Sequence, residues 1–381
     1  MPSVGLVLIA KNEAHIITRA IESARSLVDM VLVVVDDAST DDTAAVCERL
    51  GANVVVRPFP GSIAAARNEA MDLAAPRVDY QLVLDPDDVL EGSLPASLQA
   101  DVYKVWIHDG VRRFPRIQLF KSTAGVRYEG IRHEYAVAPP NVTTSIASSL
   151  IYKRIGGGYQ DSLGQREKFM RHVRDLLQWT AEHPDDTRSV FMLAQSYRDA
   201  GEVELARQEY ERRLTLGDPQ SDECYQAALE AAFLVEHHGI DSMETASPEV
   251  AVVSAYLRCH EMQPLHAEPL FHLACYLREH GAVGSAWHFA RRAAELETPK
   301  LGTIFDIEIY EWKAKAEVAV ESWMLGDRAT AMKLLFEIAH ERPEYKEWAD
   351  EQLAVVSTQD PPERQVGWGA SQKLATATVE V

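Results

Sequence analysis

Three carboxylates, Asp85, Asp87 and Asp88, crowd into the run LDPDD. Acids this close repel one another unless a cation neutralises them. Carboxylate oxygens suit a hard divalent ion such as Mg2+ or Mn2+. Two further polar clusters lie upstream: Lys11, Asn12 and Glu13, and then Asp36, Asp37, Ala38, Ser39 and Thr40. Ser39, Thr40, Asp41 and Asp42 also have an ordinary reading as helix-capping residues. One basic island stands against these acids. It holds Arg112, Arg113, Arg116, Lys121, Arg127 and Arg132, with Glu129 as its acid. It reads either as a solvated strand face or as a contact for phosphate or acceptor.

The elements that must position these residues alternate. Val4–Ala10, Met30–Val35, Asn53–Val56 and Tyr80–Leu84 are apolar runs rich in Val, Ile and Leu. They lack polar alternation, as expected of parallel strands buried on both faces. Helical patterns fall between them. Glu13–Leu27 places Ile16, Ile17, Ala20, Ile21 and Ala24 at helical spacing, Thr40 can cap Asp41–Leu50, and alanine-rich Ile63–Ala75 stops at Pro76. The order predicts a right-handed, doubly wound, Rossmann-like sheet. Ligands of such sheets bind beyond the carboxyl ends of the strands, and that is where all three acidic or polar clusters fall. No GxGxxG follows the first strand, and no GxxxxGK[ST] occurs, so dinucleotide and P-loop sites are excluded. The glycine-rich start of a sugar-phosphate nucleotidyltransferase is missing too. Gly156, Gly157 and Gly158 read as a turn or hinge.

The segments VGLVLIAKNEAHI, VVVDDASTDDT, GSIAAARNEAMDLA and LVLDPDDVL, in that order and spacing, resemble a family-two glycosyltransferase of GT-A fold. RRFPRIQLFK and RYEGIRHEY resemble the subgroup in which a short GT-A domain ends in a His-Glu motif and leads into helical repeats. That broad group includes S-glycosyltransferases that modify bacteriocin peptides. The resemblance implies an inverting transfer from a nucleotide-sugar, most often a UDP-linked hexose or N-acetylhexosamine, with divalent Mn2+ or Mg2+. It places Ala10, Asn12 and Glu13 along the nucleoside, and one of Asp36 and Asp37 on the base or ribose. Arg67 would help hold the nucleotide. Asp85 would face the ribose or donor sugar, Asp87 would ligate the metal, and Asp88 would contribute to either. His133 would be a second metal ligand or a diphosphate contact.

The residue types suit that chemistry, because a departing nucleoside diphosphate gathers negative charge that a cation offsets. Inversion also needs a base within hydrogen-bond reach of the acceptor. Glu134, beside His133, and Asp109, after the strand-like run Tyr103–Ile107, are the candidates. The usual adjacent Glu-Asp motif late in the domain is missing, which leaves the choice open. A thiol acceptor would need less help from a base than a hydroxyl.

The second half reads as tetratricopeptide-like helical repeats. Ala194, Tyr197, Gly201, Ala206, Tyr210 and Pro219 form one unit. Ala274, Gly281, Ala286 and Pro299 form another, and Ala319, Gly326, Ala331 and Pro343 a third. A degenerate unit holds Ala232 and Gly239. Small Ala lets paired helices approach, and Gly makes the turn between them. Such repeats brace the catalytic domain or pair two copies into a homodimer, or else their groove holds a protein or peptide acceptor.

Composition frames these readings. The chain has 381 residues, 46% hydrophobic and 25% charged, with a formal net charge of −20. Residues 1–150 hold 19 acids and 14 bases, residues 151–381 hold 39 and 24. This balance argues against nucleic-acid or anionic-membrane binding. Four scattered cysteines without CxxC spacing, no leader pattern and no membrane-length apolar run point to a cytoplasmic protein. The expected layout is a GT-A domain over residues 1–140, a connecting segment with a first helix over 141–184, all-α repeats over 185–356 and a loose tail over 357–381. Other readings stay open: a glycan or modified-nucleobase acceptor, a nucleotidyltransferase, or an interaction scaffold with an inactive GT-A domain.

Overall fold

The computed structural model describes residues 2–158, 164–239, 247–299 and 304–361. The chain divides into two compact units, the first running to Gly217 and the second beginning at Asp218.

In the first unit, β1 (Val4–Ala10), β2 (Met30–Asp36), β3 (Asn53–Arg57) and β4 (Tyr80–Val83) alternate with α1 (Ile17–Ala24), α2 (Thr43–Arg49) and α3 (Ile63–Ala74). Then come β5 (Val89–Gly92), β6 (Val102–Asp109), β7 (Arg112–Lys121), β8 (Arg127–Glu129), β9 (Tyr135–Val137) and β10 (Thr144–Lys153). The main sheet runs β3-β2-β1-β4-β7-β6-β10-β5, and β8 pairs β9 separately. Strands β3, β2, β1 and β4 are mutually parallel, as are β6 and β10, while β7 and β5 run antiparallel to their neighbours. The result is a mixed, mostly parallel α/β sheet.

Successive residues of one strand point to opposite faces, and both faces of this sheet are covered. Leu6, Leu8, Val33 and Leu82 face a core that includes Ile17 and Ile21 of α1. Val7, Leu32, Val34 and Val83 face another that includes Ala70 and Met71 of α3. That two-sided burial is why the central strands carry no polar alternation. Edge strand β3 departs from the expectation, and its Val56 is 50% exposed.

The predicted strands and the start of α3 at Ile63 match closely; the starts of α1 and α2 do not. Residues 13–16 form a turn in which the N–H groups of Ile16 and Ile17 donate to the Glu13 carbonyl, and α1 begins only afterwards. Thr40 does not cap α2: the N-cap is Asp42. Thr40 N–H donates to the Asn12 side chain instead, while Asp41 accepts from Thr43 N–H. Residues 141–184 also hold more than a connection, because β10 within them is an interior strand between β6 and β5.

Three helices close the first unit: α4 (Gln165–Glu182), α5 (Thr187–Asp199) and α6 (Val203–Leu214). The second unit holds α7 (Asp222–His238), α8 (Pro248–Met262), α9 (Glu268–Glu279), α10 (Val283–Ala294), α11 (Ala314–Met324), α12 (Arg328–Glu341) and α13 (Lys346–Thr358). The predicted glycines turn α5 into α6, α9 into α10 and α11 into α12, with φ of 81° at Gly201, 81° at Gly281 and 91° at Gly326. Each turn repeats one pattern of hydrogen bonds. The residue after the glycine donates back into the helix, as in Glu202 to Tyr197, Ala282 to Leu277 and Asp327 to Ser322. The six predicted alanines, Ala194, Ala206, Ala274, Ala286, Ala319 and Ala331, are all 0% exposed. These are tetratricopeptide-like helix pairs. Among the described residues no helix is long and apolar enough to cross a membrane. Helix α13 runs two residues into the expected loose tail, and 362–381 lie outside the described residues.

Candidate active site

The carboxyl ends of β1, β2 and β4 lie side by side because those strands are parallel neighbours. Ala10 ends β1, buried opposite Val35. Lys11 then reaches Asp36 at 2.7 Å. Burial pushes the Asp36 carboxyl up, but Lys11 and the Ala38 N–H outweigh it, so its pKa falls below the usual carboxylate range. Asp37 stands exposed at the end of β2. Asn12 adopts φ 54° and accepts from Thr40 N–H at 2.7 Å. This left-handed backbone is unusual outside glycine, and the Asn12 side chain uses it to hold the loop after β2. Glu13 is buried, and its N–H donates to Thr43 Oγ1 at 2.8 Å.

Arg67, on α3, is the electrostatic centre. It is 7% exposed and pairs with Asp85 and with Glu134, the latter at 3.0 Å. Its guanidinium also sits over the Tyr128 ring, 5.2 Å from the centroid. Tyr152, from β10, donates its hydroxyl to Asp85 Oδ2 at 2.7 Å and accepts from Asp85 N–H at 3.1 Å. Burial works against the Asp85 charge, but Arg67 and then Tyr152 overcome it and bring its pKa down to about 2.

Asp87 and Asp88 face other partners. A Cβ built on Gly158 would come 2.9 Å from Asp87 Oδ2 and 3.1 Å from Glu13 Oε1. Gly158 therefore lies directly against both carboxylates. The segment leading to it is tied down at several points. Arg19 donates to the carbonyls of Asp87 and Gly156, and His15 Nε2 bonds the Gly157 carbonyl at 3.0 Å. Asp88 is 3% exposed and accepts from Ile155 N–H at 2.8 Å. Burial, with Asp85 and Asp87 adding repulsion, raises its pKa to about 6. Asp88 thus braces the segment that leads into the glycines.

His133 lies in the turn before β9, with φ 53°. Among the described residues, Asn12 and His133 alone combine positive φ with a side chain. Protein packed around the imidazole, and then Arg188, Arg132, Arg154 and Lys168, push its pKa down to about 4. The residue also meets solvent. Asp109, at the end of β6, pairs with Arg154 at 2.9 Å. The two proposed bases are therefore held by different arginines and do not touch.

The basic island splits because β7 is antiparallel to β4. Arg116 lies at the site end, where it acts on Asp85. Lys121 lies at the opposite end, beside Tyr80, and pairs with Asp101 at 2.8 Å.

Asp87 and His133 carry donor types, a carboxylate and an imidazole, that divalent cations accept. Among the described residues no three His, Cys, Asp or Glu side chains form a full metal cage. Mg2+ is commonly held by one or two protein carboxylates and completed by substrate phosphate and water, so a sparse oxygen-led set fits that chemistry.

Residues 6–100 match the model of glycosyl transferase family 2. The N-terminal region carries a family-two glycosyltransferase domain. An uncharacterized glycosyltransferase of Rickettsia felis is 39% identical over 99 residues, covering 26% of this chain and 34% of that protein. The chain thus spans about a third of that relative. A TPR repeat-containing protein of Synechococcus elongatus is 25% identical over 312 residues, covering 77% of this chain and 75% of its own. The solved structure of MamA aligns with 51% of this chain at 16% identity and a TM-score of 0.37. In the glycosyltransferase domain, sequence motifs located Arg67, Asp85 and Asp87 but missed Tyr152, Arg19 and Gly158. Tyr152 is the one aromatic in β10 and carries no motif. Gly158 belongs to a glycine run that matches no phosphate-loop sequence pattern.

Proposed function

We propose that this chain is an inverting glycosyltransferase that uses a UDP-linked hexose or N-acetylhexosamine, with Mn2+ or Mg2+, to glycosylate a protein or peptide side chain. The observation that carries the reading is the convergence of the first, second and fourth strand-end clusters at one edge of a family-two glycosyltransferase domain. Asn12 and Glu13, with Asp36 or Asp37, would line the nucleoside, and Ala10 would set the depth of that slot. Arg67 keeps Asp85 ionised and aimed, so that its oxygens can meet the ribose or sugar hydroxyls. Asp87 and His133 would hold the divalent cation, which when bound offsets charge on the leaving diphosphate. Asp88 supports the segment that presents Gly158 to Asp87. Glu134 or Asp109 would take the acceptor proton; each must do so from beside an arginine. The helix pairs offer protein-interaction surfaces, and a cytoplasmic setting agrees with four free cysteines.

The test is UDP release from UDP-glucose, UDP-N-acetylglucosamine and UDP-galactose with Mn2+. Release that depends on the metal and is lost in Asp87→Ala supports the reading. No release and no thermal shift with UDP would instead favour a scaffold, and pyrophosphate release from UTP plus a sugar phosphate would favour a nucleotidyltransferase.

A further inference from the structure

The turn over residues 132–135 is held by three helices. Arg67 of α3 takes Glu134. Asp175 of α4 pairs with Arg132, and His172 of α4 sets its ring edge-on to His133, centroids 5.4 Å apart. Arg188 of α5 does two things at once. Its guanidinium lies over the Tyr135 ring at 4.1 Å from the centroid, and it donates to the His133 carbonyl across a long 3.5 Å. The base of α5 is itself fixed. Asp186 caps the helix by accepting from Ser189 N–H at 3.1 Å, and it takes the indole N–H of Trp179 from α4 at 2.8 Å. Arg188 therefore projects from a rigid corner.

His133 needs such support. Left-handed backbone is disfavoured for an L-residue with a side chain, and strain of this kind persists only where the surroundings over-determine it. Charge alone does not explain the arrangement, because a flexible ammonium could sit near a carbonyl equally well. A planar cation laid on an aromatic ring fixes direction as well as charge.

We propose that Arg188 is a positioning residue of the transfer site: by clamping Tyr135 and the His133 carbonyl it holds the His133–Glu134 turn, and so makes the α4–α5 pair a working part of the catalytic unit. This assigns the first helix pair to catalysis and leaves acceptor recognition to other surfaces. It rests on the glycosyltransferase reading above, in which His133 and Glu134 act.

The experiment measures metal-dependent UDP release by the full chain, as kcat and as the apparent Mn2+ constant, for wild type, Asp87→Ala, Arg188→Ala, Arg188→Lys, Tyr135→Leu and the Arg188→Ala/Tyr135→Leu double variant. Losing one cation–aromatic clamp should lower activity about five- to tenfold. Lys should restore less than half of that loss, because it lacks the flat fork. The double variant should lose no more than the worse single one, since both remove the same clamp. Inactive wild type would defeat the functional reading itself. Active wild type with inert Asp87→Ala, but with Arg188→Ala and Tyr135→Leu unchanged in both constants, would overturn this proposal alone. Full recovery with Lys, or independent multiplying losses in the double variant, would overturn it too. Tyr135→Leu leaves every cation in place, so it decides the matter even if Arg188→Ala fails to fold.

Discussion

A single methyl group at position 158 probes the Asp87 carboxylate without changing any polar side chain. In Gly158→Ala the new Cβ would lie 2.9 Å from Asp87 Oδ2, 3.1 Å from Asp87 Cγ and 3.1 Å from Glu13 Oε1, where ordinary contact begins near 3.4 Å. Gly158 has no positive φ, so alanine brings no backbone penalty of its own. The strain falls on the carboxylates. Relieving it needs a shift of about 0.5 Å, the tolerance within which catalytic groups must be held. Short acidic side chains can move that far, so the folding cost should be small, about 1 kcal/mol. The catalytic cost should be larger, about tenfold or more in kcat, since a displacement near 1 Å can cost about a hundredfold. The assay is UDP release against Mn2+ concentration, with urea unfolding in parallel. Gly164→Ala is the control, because nothing lies within 4 Å of its Cβ. If Gly158→Ala keeps wild-type kcat and metal dependence, the contact between this glycine and Asp87 has no bearing on the reaction. A large stability loss with unchanged kcat per folded molecule would refute the reasoning equally.

Other outcomes follow from the same charges. Arg67→Ala leaves Asp85 and Glu134 without their shared cation, and urea unfolding should show a loss of about 3 kcal/mol. Arg67→Lys should recover only part of it, because a point charge cannot serve two carboxylates in one fork. The Asp85 pKa is depressed to about 2 from 3.8, so its contribution to stability is complete above about pH 4 and fades as pH falls towards 2. Asp85→Asn should flatten that part of the acid limb in a pH series of denaturation midpoints. In α11, Glu321 is 0% exposed, neither oxygen has a hydrogen-bond partner, and burial followed by Glu317 raises its pKa to about 10. The sign is reversed here: the folded form keeps the proton, so stability is full below about pH 4.5 and is lost as pH rises. Glu321→Gln should therefore stabilise the protein at pH 7 by an amount on the order of 2 kcal/mol, and the gain should shrink at pH 5.

Much of this architecture was legible in the sequence because it depends on local rules. Strands buried on two faces read as unbroken apolar runs, and the glycines of the helix turns fell where a left-handed residue was needed. The Asp85–Asp87 motif and Arg67 stood out through motif spacing. What stayed hidden depends on contacts between distant segments. Thr40 looked like a cap, yet Asn12, 28 residues away, claims its N–H. Asp88 showed no sign of the Ile155 N–H, 67 residues away, that its carboxylate accepts. Most of the net negative charge lies after residue 150, but charge belongs to surfaces, whereas compactness follows packing. Packing keeps α4, α5 and α6 with the sheet.

The left-handed turn at His133 bears on how this protein would respond to selection. Among the described residues its imidazole makes no side-chain hydrogen bond, so glycine there would relax the backbone and give up chiefly the edge-on contact with His172. Asn12 differs, because its amide holds Thr40 and glycine would forfeit that bond. A campaign that ranked variants by heat resistance alone would therefore accept glycine at position 133, gaining about 1 kcal/mol. It would discard the imidazole in the process. Durability and turnover would part company at that one residue, and a library scored on both would show 133 as the position where the two rankings disagree.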